Sequence, residues 1–201
     1  MATVLYIKAG IKPEGKSRTF MISDGFINHY KSLHPEDEIQ VLDLYREGIK
    51  ALTPEDLRHI DGEKTEESRN DPVLKYAYQF YDADKYVIAA PQWNLGSPGI
   101  LKCYLDYACL SGISFHFDET GSHGDLHGKN AVHITTMGGD YSHDPLKSWN
   151  SADSYLRNLF RMCGVSDFET IAVDRTDIIG EDVEKRIEEG IREARKVAET
   201  F

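Results

Sequence analysis

The alternation of strand-like and helix-like segments constrains the fold of this chain more than any other feature of its sequence. Five runs rich in β-branched and aromatic residues predict strands, at residues 3–8, 39–44, 85–90, 130–135 and 168–173. Helical patterns lie between these runs. Because strand–helix–strand connections are right-handed, the alternation predicts an α/β fold with a doubly wound, five-stranded parallel sheet in the order 2-1-3-4-5 and helices on both faces.

The predicted helices are marked by apolar residues at helical spacing and by end signals. Ile22, Phe26 and Tyr30 share one face of the first helix, and Asp71 followed by Pro72 is typical of a capped helix start. Residues 99–108, 155–163 and about 181–199 are also predicted to be helical. Residues 61–70, which are mostly polar, are predicted to form a solvated loop or a lid.

Composition limits the domain organisation and the partners. The chain has 201 residues, of which 40% are hydrophobic and 28% charged, and these values predict a single globular domain over residues 1–201. A net charge of −11 argues against nucleic acid and anionic membranes as partners. Three cysteines without a CxxC pair favour reduced thiols, and no apolar run reaches ~20 residues, so we expect a cytoplasmic protein.

Three loops rich in small residues follow the first, third and fourth predicted strands, at residues 9–19, 91–98 and 135–141. In an open α/β sheet, ligands bind beyond the carboxyl ends of the strands where the strand order reverses, which here lies between strands one and three. Small residues let the backbone approach a ligand closely and donate N–H groups to it. The three loops together therefore predict a binding site.

The first loop matches the P-loop pattern G-x-x-x-x-G-K-[ST] from Gly10 to Ser17. A P-loop nucleotide phosphohydrolase is thus an alternative, although it also needs an acidic residue for Mg²⁺ at the end of a strand. The third strand ends in apolar residues, and Asp174 follows a predicted edge strand far from the loop. Both interpretations predict a phosphate at a helix N-terminus, bound by backbone N–H groups and the hydroxyls of Ser17 and Thr19.

The second and third loops carry groups suited to a flat heteroaromatic ring. Trp93 offers an aromatic wall, and Asn94 offers an amide that both donates and accepts, as the edge of an isoalloxazine ring requires. Gly138 and Gly139 can bring backbone donors to the same ring. Core packing is the alternative for Trp93, and a structural turn is the alternative for the two glycines.

The remaining clusters predict no further chemistry. One third of the chain holds five histidines: His116, His123, His127, His133 and His143. They lack the spacing of a known metal site, so we expect solvated loop histidines and no metal. A serine hydrolase built on Ser97 fails because the next residue, Pro98, lacks the N–H that its oxyanion hole needs.

With these loops in place, the sequence resembles the FMN-dependent NADH-azoreductases of the flavodoxin-like quinone reductase group, homologues once described as acyl-carrier-protein phosphodiesterases. The resemblance covers nearly the whole chain. It is carried by the opening strand and its loop and by residues 88–95, 101–106, 112–115, 135–139 and 164–167. It implies a flavodoxin-like fold, bound FMN, NADH or NADPH as co-substrate, and quinones and/or azo compounds as acceptors.

The resemblance also implies which residues contact FMN. A phosphate segment that matches Ser-x-Ser comprises Ser17, Arg18 and Thr19, with Gly10 at the start of the loop. A segment that matches Met-Tyr-Asn-Phe and lines the flavin comprises Gln92, Trp93, Asn94 and Leu95, with Pro91 before it. A segment that matches Ser-Arg-Gly-Gly at the other edge of the ring comprises Thr136, Met137, Gly138 and Gly139.

Departures from the family pattern concern the contacts to both ends of the cofactor. Ala9 and Gly10 replace family serines, which removes a hydroxyl contact to phosphate, and Met137 replaces an arginine. By the resemblance the protein is a homodimer whose partner subunit completes each site, and electrons pass from nicotinamide to acceptor through the flavin in ping-pong order, without a catalytic side chain. A non-enzymatic flavodoxin-like electron carrier remains an alternative.

Overall fold

The computed structural model describes residues 1–13, 15–62 and 64–201. Glu14 and Glu63, which belong to the predicted loops at residues 10–19 and 61–70, lie outside the described residues. The strands are β1 (Thr3–Lys8), β2 (Glu38–Asp43), β3 (Lys85–Ala89), β4 (Phe115–Asp118), β5 (Gly121–Gly124), β6 (Asn130–Thr136) and β7 (Asp167–Val173). The α-helices are α1 (Arg18–Leu33), α2 (Leu44–Glu47), α3 (Pro54–Ile60), α4 (Lys75–Asp82), α5 (Gly99–Ala108), α6 (Ser151–Met162) and α7 (Val183–Ala198). Within these ranges, no helix has both the length and the apolar character needed to cross a membrane.

The main sheet confirms the predicted fold and strand order. Its order is β2-β1-β3-β6-β7, and every neighbouring pair is parallel. The chain leaves β1 toward α1 on one face of the sheet and leaves β3 toward α5 on the other face. The loops after β1 and β3 therefore diverge, and a crevice opens between them at the carboxyl edge of the sheet.

Two apolar layers cover the sheet because side chains alternate along each strand. One layer packs Val4, Tyr6 and Val87 against α1 and α7. The other packs Leu5, Ile7 and Ile88 against α4, α5 and α6. Fully burying one such large apolar side chain contributes roughly 1.5–3 kcal/mol, so both layers stabilise the strand order that forms the crevice.

Local and tertiary hydrogen bonds move several predicted boundaries. β2 ends one residue earlier than predicted because the Asp43 carboxylate accepts from the N–H of Tyr45 at 3.2 Å and caps α2. The helix predicted to start at Asp71 begins later, as α4, because Asp71 caps a turn by accepting from the N–H of Val73 at 2.9 Å. α6 begins at Ser151 instead of residue 155.

The hairpin of β4 and β5 is absent from the sequence-based expectations. Its strands are short, and six of their eight residues are polar or glycine, so they carry little apolar alternation. The hairpin packs on the end of α6, where the N–H of Leu126 donates to the carbonyl of Cys163 at 2.8 Å. At Gly124 a Cβ would lie 2.1 Å from the backbone nitrogen of Gly164, so this close approach requires glycine.

We predict that Gly124→Ala lowers the free energy of unfolding by about 3 kcal/mol, because a methyl group at this position overlaps rigid backbone. The measurement is chemical denaturation followed by circular dichroism. Gly99→Ala is the matched control, since a Cβ at Gly99 would meet no atom within 4 Å. A Gly124→Ala protein as stable as the Gly99→Ala protein would contradict the close packing of the hairpin.

Candidate functional site

A cleft of about 120 Å³ lies at the carboxyl edge of the sheet, where the strand order reverses. Its lining includes most of the residues expected at the site: Gly10, Ser17, Arg18, Thr19, Pro91, Gln92, Trp93, Thr136 and Gly138. The structure thus brings the three predicted loops together. A wider groove of about 460 Å³ shares Gly10 with the cleft but extends over β2, away from the loops after β3 and β6.

The N-terminus of α1 forms one wall of the cleft. Ser17 is its N-cap, and its hydroxyl accepts a hydrogen bond from the N–H of Phe20 at 3.3 Å. The N–H of Thr19 has no acceptor among the described residues. Residues 18–21 include no carboxylate, so the positive end of the helix dipole is not neutralised by its own first turn. This wall is suited to an anion.

A buried hydroxyl pair connects this wall to β6. The hydroxyls of Thr19 and Thr136 lie 2.6 Å apart, and both side chains are buried. Thr136 therefore contributes to the floor between the first and third loops. Each hydroxyl can donate to the other or accept from it, which leaves the pair able to adjust to a ligand above it.

A strained two-residue turn forms the tip of the second loop. Trp93 and Gly96 exchange two backbone hydrogen bonds of 2.8 and 3.0 Å, and the residues between them, Asn94 and Leu95, have φ angles of 49° and 68°. Asparagine tolerates this left-handed region, whereas leucine is strained there. In the described part of the chain, the N–H groups of both residues have no acceptor. Trp93 and Leu95 are 41% and 39% exposed, so the turn presents donors and apolar surface together.

Thr136, at the end of β6, and Gly138 are the two described residues of the third loop that line the cleft. Met137 is buried: its N–H donates to the carbonyl of Val173 at 2.9 Å, and its carbonyl accepts from the N–H of Thr176 at 3.0 Å. Gly139 lies behind Gly138, with its carbonyl accepting from the N–H of Arg175 at 2.8 Å. The expected roles of Met137, Gly139, Asn94 and Leu95 at a ligand stay predictions, since these residues lie outside the enclosed cleft.

The loop after β7 contributes residues that sequence reasoning missed. Thr176 and Asp177 line the cleft, as do Ile11 and Lys12 of the first loop. The Arg18 guanidinium donates to the carbonyl of Thr176 at 2.7 Å and to the Asp177 carboxylate at 2.6 Å. Asp174 was expected far from the first loop, but the residues that follow it return to that loop through Arg18. The carboxyl edge that all the strands share places the loop after β7 near the crevice, although it does not single out these two residues.

An ion-pair network supports the third loop from behind. Arg175, itself at φ 59°, pairs with Glu181 and lies 3.8 Å from Asp140. Hydrogen bonds from Ser142 hold the pKa of Asp140 below its ordinary value, and a hydrogen bond from Arg186 does the same for Glu181. Both carboxylates therefore remain charged at neutral pH and hold the Arg175 guanidinium. They thereby support the hydrogen bond from the Arg175 N–H to the Gly139 carbonyl.

One of the histidines expected in solvated loops is buried instead. His133 lies on β6 with no exposed surface, and its Nδ1 is 3.0 Å from the Asp153 carboxylate. Side chains alternate between the two faces of the sheet along β6, and this alternation directs the His133 ring toward α6. His116 and His123 are about half exposed on the hairpin, each beside an aspartate.

The fold of the chain agrees with comparisons to known proteins. The model of a protein family with the description flavodoxin-like fold matches residues 2–198 of the chain. A protein of Caldicellulosiruptor saccharolyticus is 52% identical over 201 residues, with 100% of both chains covered, and is named an FMN-dependent NADH:quinone oxidoreductase. The chain belongs to the flavodoxin-like fold family. A relative of the same name from Clostridium perfringens is also 52% identical over both full lengths.

Solved structures of this flavodoxin-like family extend the similarity to three dimensions. An azoreductase from Bacillus anthracis strain Sterne is 29% identical and gives a TM-score of 0.89, with 100% of both chains covered. An FMN-dependent NADH-azoreductase from Bacillus anthracis strain Ames Ancestor, solved in complex with FMN, is 25% identical with a TM-score of 0.89, covering 100% of this chain and 99% of that one. The resemblance inferred from the sequence motifs is confirmed.

Leu95 allows a direct test of backbone strain at the turn. We predict that Leu95→Gly raises the free energy of unfolding by about 0.5–1 kcal/mol, because glycine adopts positive φ without the penalty that leucine incurs. Asn94→Gly is the control and should give no comparable gain, since asparagine already tolerates this region. Thermal and urea unfolding measure the stability of both variants. A loss of stability in Leu95→Gly would contradict the prediction, because it would show that the contacts of the leucine side chain outweigh its backbone strain.

Proposed function

We propose that this flavodoxin-like protein is an FMN-dependent NAD(P)H oxidoreductase that passes two electrons from nicotinamide to quinones and/or azo compounds. The observation that carries the proposal is the meeting of three loops, with unpaired backbone donors, at the reversal point of the sheet. Relatives that match the chain over its full length are named FMN-dependent NADH:quinone oxidoreductases, which supports the quinone reductase part of the proposal. Residues 1–201 are proposed to form a single FMN-binding domain.

The residues of the first loop fit a phosphate. The anionic oxygens of the phosphate would accept hydrogen bonds from the N–H of Thr19 and from the hydroxyls of Ser17 and Thr19, at the positive end of α1. Lys12, on the rim of the cleft, adds a cation. The family serines that Ala9 and Gly10 replace are not needed for this arrangement.

The second and third loops fit a flavin ring. The turn offers the N–H groups of Asn94 and Leu95 as donors, and Trp93 offers an exposed aromatic face. Gly138 brings a backbone without a side chain to the other edge, where a Cβ would lie 2.6 Å from the Asp177 carboxylate. The expected cofactor-binding roles of these residues, and of Pro91, Gln92, Met137 and Gly139, are therefore part of the proposal.

The protein's own contribution to the reaction is binding, orientation and electrostatics. FMN, when bound, would supply the redox chemistry of hydride acceptance from NAD(P)H and two-electron delivery to the acceptor. The backbone N–H groups of Asn94 and Leu95 would stabilise negative charge on the ring, and Trp93 and Leu95 would limit access of water to it. No side chain needs to exchange a proton with the substrate, so a catalytic acid or base is not assigned.

A homodimer in the cytoplasm is also proposed. The enclosed cleft of about 120 Å³ is smaller than the roughly 300–1,000 Å³ of typical ligand pockets, so one chain encloses only part of the cofactor. Trp93, Leu95 and Trp149 remain 39–50% exposed, and a second subunit would cover such apolar surface. The three free cysteines support a reducing compartment.

Sedimentation velocity of the flavin-loaded protein should give a dimer, and a monomer with full reductase activity would contradict the proposed homodimer.

The colour of the purified protein tests the main proposal. After addition of FMN and gel filtration the protein should be yellow, bleach with NADH or NADPH under anaerobic conditions, and recover its absorbance when a quinone is added. A protein that stays colourless after addition of FMN contradicts the flavin site. A yellow protein that neither NADH nor NADPH bleaches favours an electron carrier, and Mg²⁺-dependent ATP hydrolysis that Lys16→Ala abolishes favours a P-loop enzyme.

The phosphate contacts allow a quantitative prediction. Ser17→Ala combined with Thr19→Ala should weaken FMN binding by about 1–3 kcal/mol, the usual scale for hydrogen bonds to a charged group. Fluorescence titration of FMN measures the change. Thr53→Ala is the matched control, because it removes the N-cap of α3 without touching the cleft. Unchanged affinity in the double variant would show that the backbone alone holds the phosphate.

A further inference from the structure

A cluster of polar side chains surrounds the buried His133 on the face of the sheet that carries α6. His133 has no exposed surface, and its Nδ1 lies 3.0 Å from Oδ1 of Asp153. The hydroxyl of Thr170 donates to the same oxygen at 2.5 Å, and Arg157 lies 3.4 Å from the other one. The cluster thus connects β6 and β7 to the first turn of α6.

The protonation of the cluster follows from its contacts. Burial alone would raise the pKa of Asp153, but hydrogen bonds from His133 and Thr170 hold this pKa below its ordinary value. An ionised carboxylate accepts and cannot donate, so Nδ1 of His133 carries the proton of this bond. In the described part of the chain Nε2 of His133 has no hydrogen-bond partner. The bond from Nδ1 to Asp153 therefore fixes the orientation of the ring.

The start of α6 is in contact with the second loop of the cleft. Asn150, its N-cap, does not cap the helix with its side chain but accepts from Gln92 Nε2 at 3.2 Å and donates to the sulfur of Met137 at 3.4 Å. Ser151, the first residue of α6, donates its N–H to the carbonyl of Leu95 at 3.0 Å. The helix N-terminus and the strained turn therefore satisfy each other's backbone groups.

We propose that His133 and Asp153 are positioning residues that hold the first turn of α6 against the sheet and, through Asn150 and Ser151, hold the turn at Asn94 and Leu95 in its binding conformation. A left-handed leucine persists only when its surroundings determine it, and the bond from Ser151 is such a determinant. If α6 moves, this bond lengthens and the donors of the turn lose their orientation. The assignment rests on the proposed function in that these donors face the flavin ring.

The test separates the ring from the phosphate by comparing riboflavin, which lacks the phosphate, with FMN. His133→Leu should weaken binding of both ligands by the same factor, about 3- to 30-fold, the range for residues that act on a site through an intervening network. The ratio of the two affinities should stay at the wild-type value, because α1 and its phosphate contacts lie on the opposite face of the sheet. His133→Asn should recover most of the loss, since its amide can donate near the position of Nδ1.

A second variant acts on the last link of the path. Ser151→Pro deletes the N–H that donates to Leu95, at the first helical position, where proline is well tolerated. It should reproduce the equal loss of riboflavin and FMN affinity. The double variant His133→Leu with Ser151→Pro should lose no more than the larger single loss, because both changes interrupt one path.

A control variant on the other face distinguishes positioning from general destabilisation. Ile187→Ala removes buried contacts of α7 in the opposite apolar layer and should lower the denaturation midpoint without changing riboflavin affinity. Equal losses in Ile187→Ala, additive losses in the double variant, or wild-type riboflavin affinity in a folded His133→Leu protein would each overturn the assignment. If the wild-type protein binds no flavin, the proposed function fails, while non-additive denaturation midpoints of the two variants still report the link through α6.

Discussion

The parallel pairing of β1 with both β2 and β3 is the constraint on which the other features depend. Because the chain leaves β1 toward one face and β3 toward the other, no connection covers the edge between them. The crevice is therefore a consequence of strand order and needs no side chain to create it. Side chains decide what the crevice binds, and they do so from loops that vary without disturbing the two apolar layers.

The five strands of the main sheet were predictable because their signals are local and strong, and their alternation with helices predicted the strand order. β1 and α5 have the predicted bounds, since the continuous apolar run of β1 and the helical spacing of α5 each continue almost to the end of the element. The start of α6 was not predictable in this way. Its first turn is polar and its N-cap side chain points elsewhere, so the start depends on the carbonyl of Leu95, a partner remote in sequence.

The same distinction applies to the site. Gly10, Ser17 and Thr19 could be placed from the sequence because the pattern of a loop before a helix fixes their positions relative to the helix end. Thr176 and Asp177 could not, because a turn after β7 brings them back to α1 through Arg18, a contact that no local pattern encodes. For Met137, the motif located the loop after β6 correctly but did not predict the position of the residue. Its backbone hydrogen bonds to Val173 and Thr176 hold it in a buried position.

The two ends of the proposed FMN site thus differ in what maintains them. The phosphate end consists of a helix N-terminus with its cap, which forms whenever α1 forms, because its donors are a by-product of helix geometry. The ring end consists of a turn whose leucine opposes its own conformational preference, and that turn needs an external partner to persist. α6 supplies the partner, and the bond between the buried His133 and Asp153 fixes α6. Substitutions far from the crevice should therefore affect the ring end more readily than the phosphate end, although both ends would contact the one ligand that we propose.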